Sequence, residues 1–158
     1  MKILEPLFIK VIESLFQHQV EFILIGGYAV NYHGYGRYTG DIDFWLNPSA
    51  INKEQFLRVF ASLCKNEEAI ASVKSLDFNK PQVISLGEPP LQIDFLTKVN
   101  LVDFEDAWKE KVFLQVKSLQ IPVVNYYHLI TMKFNTGRTK DKLDLEQLQK
   151  IKRLKNKN

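Results

Sequence analysis

The stretch from Phe22 to Leu46, FILIGGYAVNYHGYGRYTGDIDFWL, constrains this chain more than any other. A short apolar run, Phe22 to Ile25, stops at Gly26-Gly27, which reads as a buried strand bounded by a turn. A short helical segment over Tyr28 to His33 follows, then a loop carrying Gly34, Gly36 and Gly40. Asp41 to Leu46 reads as a second strand. Residues two apart on a strand share a face, so Asp41 and Asp43 point one way while Ile42 and Phe44 enter the core. Two neighbouring carboxylates repel unless a cation lies between them or one keeps its proton. A hard divalent ion such as Mg²⁺ suits ligands that are all oxygen. Paired glycines between a strand and a helix let a phosphate approach the backbone, and the helix start offers it free N–H groups.

Paired aspartates at strand spacing are common, and so are paired glycines at a simple turn. A carboxylate pair beside a phosphate cradle is the more demanding combination, and it suits the handling of nucleoside triphosphates. The wording Gly26-Gly27, then His33-Gly34, then Arg37-x-Thr39-x-Asp41-Ile42-Asp43 resembles the nucleotidyltransferase superfamily related to DNA polymerase β. Locally it is most similar to small prokaryotic AbiEii-type nucleotidyltransferases. That superfamily carries a third carboxylate on a later strand, and Asp94, within Leu91-Gln92-Ile93-Asp94-Phe95-Leu96, fits the position. The C-terminal wording, His128-Leu129-Ile130 through Lys133 to Gly137-Arg138-x-Lys140-Asp141 and Asp144-Leu145, also resembles AbiEii-type relatives.

The resemblance implies a Mg²⁺-dependent enzyme, with Mn²⁺ as a substitute. Asp41, Asp43 and Asp94 would be its catalytic and metal-binding residues, around two ions. Gly26, Gly27, Arg37, Thr39 and Lys133 would bind the nucleotide. A nucleoside monophosphate would pass from a triphosphate such as ATP to a hydroxyl on a transfer RNA end, a protein or a small molecule. AbiEii-type relatives are often toxins paired with an antitoxin, which makes an antitoxin a candidate partner. Lincosamide-type antibiotic nucleotidyltransferases share the size and the core. A nucleotide- or partner-binding module without turnover is a rival, as is a glycosyltransferase with its own Asp-x-Asp metal site.

Several residues carry blander readings. Asp94 could be an edge-strand charge, although a lone carboxylate between Ile93 and Phe95 would be costly to bury. Arg37 could pair with an aspartate instead of a phosphate. Lys133 could sit on a solvated helix face, and Lys140 could form an ion-pair network with Asp141 and Asp144. His33 reads as structural, and Tyr28, Tyr32, Tyr35 and Tyr38 as packing residues before base-stacking ones.

The rest of the chain predicts an α+β domain over residues 1–158, with a mixed sheet flanked by helices. Residues 1–124 would form the catalytic core and 125–154 the C-terminal helices. An opening helix over Met1 to Phe16 has one apolar stripe from Leu4 to Phe16. Asn52 is expected to cap a helix, with Gln55 completing a capping box. Gln82–Leu86 and Leu91–Val99 read as a hairpin, as do Phe113–Val116 and Leu119–Val124. A final helix runs from Asp141 to Leu154, with Leu145, Leu148, Ile151 and Leu154 on one side and a frayed basic tail. With 21 basic and 18 acidic residues the net charge of +3 singles out no partner. One cysteine excludes a disulfide framework. No apolar run approaches the roughly 20 residues of a membrane span, so the cytoplasm is the expected compartment.

Overall fold

The structure is a computed structural model describing residues 4–158. The buried run Phe22–Ile25 forms β1 at the middle of a six-stranded mixed sheet. The flanking strands are β2 (Ile42–Leu46), β3 (Val83–Leu86), β4 (Ile93–Leu96), β5 (Val112–Val116) and β6 (Leu119–Val123), in the order β3-β4-β2-β1-β6-β5. β1 pairs antiparallel with β2 and parallel with β6, and β2 pairs parallel with β4. The two expected hairpins, β3–β4 and β5–β6, are both present. The fold is therefore the expected α+β arrangement, a mixed sheet with helices packed on it.

The core forms where the strands bury alternate side chains. Phe44 and Phe95 stack across β2 and β4 at 5.7 Å, and Phe22 meets Phe44 edge-on. Helices α1 (Pro6–Gln17) and α3 (Ala50–Leu63) add Phe8, Ile12, Leu15, Phe56 and Phe60. Each such side chain contributes about 1.5–3 kcal/mol of burial. The opening helix begins at Pro6 and not at Met1; residues 1–3 lie outside the described residues. Its predicted stripe holds at Leu4, Phe8, Val11, Ile12 and Leu15, whereas Leu7 and Phe16 are partly exposed.

Several boundaries differ from expectation, each for a local reason. Helix α2 (Gly26–Tyr32) starts at the first glycine, two residues early. Asp41 lies just before β2. β4 ends at Leu96 because the buried Thr97 takes over the ladder: its Oγ1 accepts from Gln82 N at 2.9 Å and donates to Lys80 O at 2.6 Å. The cap of α3 is Ser49, whose side chain accepts from Asn52 N. Asn52 instead lies inside the helix and braces the chain, accepting from Glu21 N and donating to Glu21 O and Asn47 O. Helix α4 (Glu67–Lys74) is capped by Asn66, and α5 (Phe104–Lys109) carries Trp108. The C-terminal pair is α6 (Tyr126–Lys133), capped by Asn125, and α7 (Thr139–Asn156). Leu148 is buried against α6, but Leu154 is exposed, since the last turns of α7 extend past the core.

Candidate active site

The register of three strands places the acids. Asp43 on β2 stands opposite Asp94 on β4 on one side and opposite Ile25, the last residue of β1, on the other. The glycine bend after β1 thus falls directly beside the Asp43 carboxylate. Gly26 has φ +68, and a Cβ there would collide with Asp43 Oδ2. Only a residue without a side chain fits, on both counts. Asp41, exposed at the entrance to β2, completes the acidic group.

The acids differ in environment. Burial, then the charges of Asp94 and Asp41, push the Asp43 carboxyl up to about 6, with Lys133 and Lys140 pulling weakly the other way. Asp94 is held by two donors on one oxygen: Ser85 Oγ at 2.6 Å and Gln92 Nε2 at 2.9 Å both donate to Oδ1.

Gly27 is packed just as tightly. A Cβ there would strike the Thr39 side chain and come within 3.2 Å of Arg37 Nη1. The buried Thr39 donates to Asp41 O at 3.1 Å, which ties the loop to the start of β2. Arg37 reaches across to α7: its Nε and Nη2 donate to the two oxygens of Asp144 at 2.7 and 3.0 Å. Its Nη1 turns to Tyr38 O at 3.2 Å.

Lys133, in the last turn of α6, joins the same cluster. Its Nζ lies 3.0 Å from Asp141 Oδ1 and 2.9 Å from Asp144 Oδ2. Thr136 Oγ1 and, at 3.8 Å, Arg138 face the other oxygen of Asp141. Burial pushes both carboxyls up, but the hydrogen bonds from Arg37, Lys133 and Thr136 overcome it and leave both below the usual carboxylate range.

All eight residues expected at the site, Gly26, Gly27, Arg37, Thr39, Asp41, Asp43, Asp94 and Lys133, line one cleft of about 930 Å³. The expected network of Lys140 with Asp141 and Asp144 is replaced: Lys133 and Arg37 pair with these acids, and Lys140 lines the cleft. Sequence reading missed Lys98, which also lines it, and the donors Ser85 and Gln92. The alternation of Gln92 with Asp94 was a legible hint, but Ser85 comes from a different strand. Of the tyrosines, Tyr28 is buried edge-on to Phe8, while Tyr38 is exposed on the rim. His33 is structural, with Nε2 2.7 Å from Val124 O.

The donor set suits a hard cation. It is all carboxylate, and the repulsion that raises Asp43 is what a divalent ion would relieve. As the side chains stand, no group of three or more His, Cys, Asp and Glu among the described residues closes around a point.

Two solved structures share the fold across nearly the whole chain. One is TM1012 of Thermotoga maritima, designated a nucleotidyltransferase: TM-score 0.56, 14% identity, covering 98% of this chain and 94% of that one. The other is the lincosamide antibiotic adenylyltransferase LnuA with lincomycin bound: TM-score 0.53, 16% identity, covering 94% of this chain and 98% of that one. No curated protein matches the sequence. No helix among the described residues is long and apolar enough to cross a membrane. A family profile extends over residues 6–158, and by it the chain belongs to the nucleotidyltransferases described as "Nucleotidyl transferase of unknown function (DUF2204)".

Proposed function

We propose that the protein is a Mg²⁺-dependent nucleotidyltransferase that moves a nucleoside monophosphate from a triphosphate to a hydroxyl acceptor. The observation that carries this reading is the register: Asp43 and Asp94 face each other on adjacent parallel strands, with the glycine bend against Asp43. Asp41, Asp43 and Asp94 are the residues that would hold the metal. Bound Mg²⁺ supplies a Lewis acid that neutralises charge on the triphosphate and the departing pyrophosphate.

The chain's own groups do the rest. Gly26 and Gly27 keep side chains out of the space where phosphate oxygens approach the backbone. Arg37 and Lys133, which line the same cleft, present cationic donors to the triphosphate. Asp94, its Oδ1 fixed by Ser85 and Gln92, accepts the proton of the attacking hydroxyl. That oxygen bonds to the α-phosphorus as the bond to pyrophosphate breaks. Positioning and electrostatics supply most of the acceleration.

The acceptor is proposed by class. A small hydroxylated molecule suits the fold shared with the lincomycin-bound adenylyltransferase and the apolar residues Pro81, Pro89, Pro90, Leu96 and Val99 in the cleft lining. The AbiEii-like wording keeps an RNA end or a protein hydroxyl, and with it a toxin role and an antitoxin partner, as the second reading. The test incubates the protein and Mg²⁺ with each α-labelled triphosphate and, separately, lincosamide-type antibiotics, total RNA and protein. Label transfer that disappears in Asp41→Ala, Asp43→Ala and Asp94→Ala is expected. Triphosphate binding without transfer to any acceptor would favour a binding module, and transfer only from a nucleotide sugar would favour a glycosyltransferase.

A further inference from the structure

Asp144 is fully buried, and a carboxylate taken out of water is costly unless cations hold it. Here it receives three charge-assisted contacts from two residues that both line the cleft. One comes from the loop before β2, 107 positions away in sequence, and the other from the end of α6. No part of the proposed chemistry uses Asp144 itself. Its partners, however, are the two cations assigned to the triphosphate.

The geometry points to Asp144 as the positioning residue of the triphosphate site: a buried anion on α7 that aims Arg37 and Lys133 and fixes the distance between them. The proposal rests on the functional reading above. The Asp144 pair occupies one whole edge of the Arg37 guanidinium, Nε and Nη2, in the bidentate geometry that fixes a planar fork. Nη1, which donates to Tyr38 O at 3.2 Å, lies against Gly27, and its second N–H is the donor left on that side. Lys133 spends two of its three donors on Asp141 and Asp144, and one remains. Each cation is thus oriented before a triphosphate arrives, and side-chain freedom is lost on folding and not on binding. Two acids against two cations also leave this cluster near neutral, so Arg37 and Lys133 tolerate one another at close range. Asp141 shares the Lys133 contact but leaves Arg37 untouched, so Asp144 is the residue through which both cations are set.

The test is binding of Mg²⁺-triphosphate (ATP, GTP, CTP and UTP in turn) to the full chain by calorimetry. The variants are Asp144→Asn, Arg37→Met and their double variant, with melting curves for each. Asp144→Asn is expected to weaken binding tenfold or more while remaining folded. The double variant is expected to bind no more weakly than Arg37→Met with a modest further loss through Lys133, so the two effects fall well short of multiplying. A folded Asp144→Asn that binds like wild type, or losses that multiply fully, would overturn the inference. If Asp144→Asn unfolds, Asp144→Glu decides: it keeps the charge but displaces it by a methylene. Weakened binding by the folded variant supports the inference, and unchanged binding overturns it. Failure of the wild-type chain to bind any triphosphate would remove the functional reading and this inference together, whereas binding by wild type and variant alike removes the inference alone.

Discussion

At the scale of single residues, Asp43 sets a conflict between stability and function. Its carboxyl titrates near 6 in the folded protein because burial, Asp94 and Asp41 all oppose its charge. In the unfolded chain it titrates at the ordinary value near 4. Between those values the folded state binds more protons than the unfolded one, so stability falls as pH rises through that window. Above it the full deficit, about 3 kcal/mol at most, persists. Replacing Asp43 by Asn removes the charge and keeps the shape. The metal-free Asp43→Asn variant is expected to be about 1–3 kcal/mol more stable than wild type at pH 7.5 and nearly equal to it at pH 4, by urea unfolding. Equal stability at both pH values would show that Asp43 is not strained. Gly26→Ala illustrates the opposite cost: positive φ and a collision with Asp43 Oδ2 act together. It is expected to lose about 1–3 kcal/mol of stability in thermal melts and to abolish nucleotidyl transfer. A variant with wild-type melting and activity would contradict the cradle.

At the scale of elements, much of the fold follows from local pattern. The run FILI, bounded by glycine, could only be a short buried strand, and Ile42 and Phe44 alternate with Asp43 as a half-buried strand requires. Both hairpins follow from consecutive short apolar runs. What local pattern could not carry is any side chain whose partner is distant in sequence. Arg37 and Asp144 are individually ordinary, and nothing near either names the other. Lys133 is expected to face the triphosphate, but its pairing with Asp141 and Asp144 is not legible, because those acids come from the next helix. Asn52 looked like a cap because asparagine favours caps, yet Ser49 holds that place and Asn52 bridges Glu21 to Asn47. This bracket fastens the entry of β1 to the exit of β2 and to α3, at the end of the strand pair away from Gly26 and Asp43. Asn52→Ala leaves a buried N–H and two carbonyls without that partner. It is expected to cost about 2–4 kcal/mol in denaturant unfolding, with activity per folded molecule nearly unchanged. A cost below about 0.5 kcal/mol would mean that water replaces the bracket.

At the scale of the whole molecule, the cleft exists only because two distant parts of the chain meet. The sheet contributes the acids and the glycine bend, and α6 and α7 contribute Lys133 and the anions that aim it and Arg37. The acids are mutually repelling without a cation, and the cations of the same cleft are suited to phosphate. Metal and triphosphate should therefore bind better together than apart, each neutralising what the other faces, a positive coupling of two ligands on one site. The coupling is readable as stability. A ligand at a hundred times its dissociation constant adds about 2.7 kcal/mol, or roughly 5–10 °C in melting temperature for a chain of this size. Mg²⁺ with ATP, or with whichever triphosphate binds best, is expected to raise the melting temperature by that amount. Mg²⁺ alone should give a small rise and the triphosphate with EDTA almost none. In Asp41→Ala or Asp94→Ala the joint rise should collapse toward that of the triphosphate alone, because the variant chain can no longer hold the ion that links the acids to the triphosphate. A shift that survives EDTA undiminished would place the triphosphate on the basic wall independently of the acids, and the metal-linked reading of the cleft would not stand.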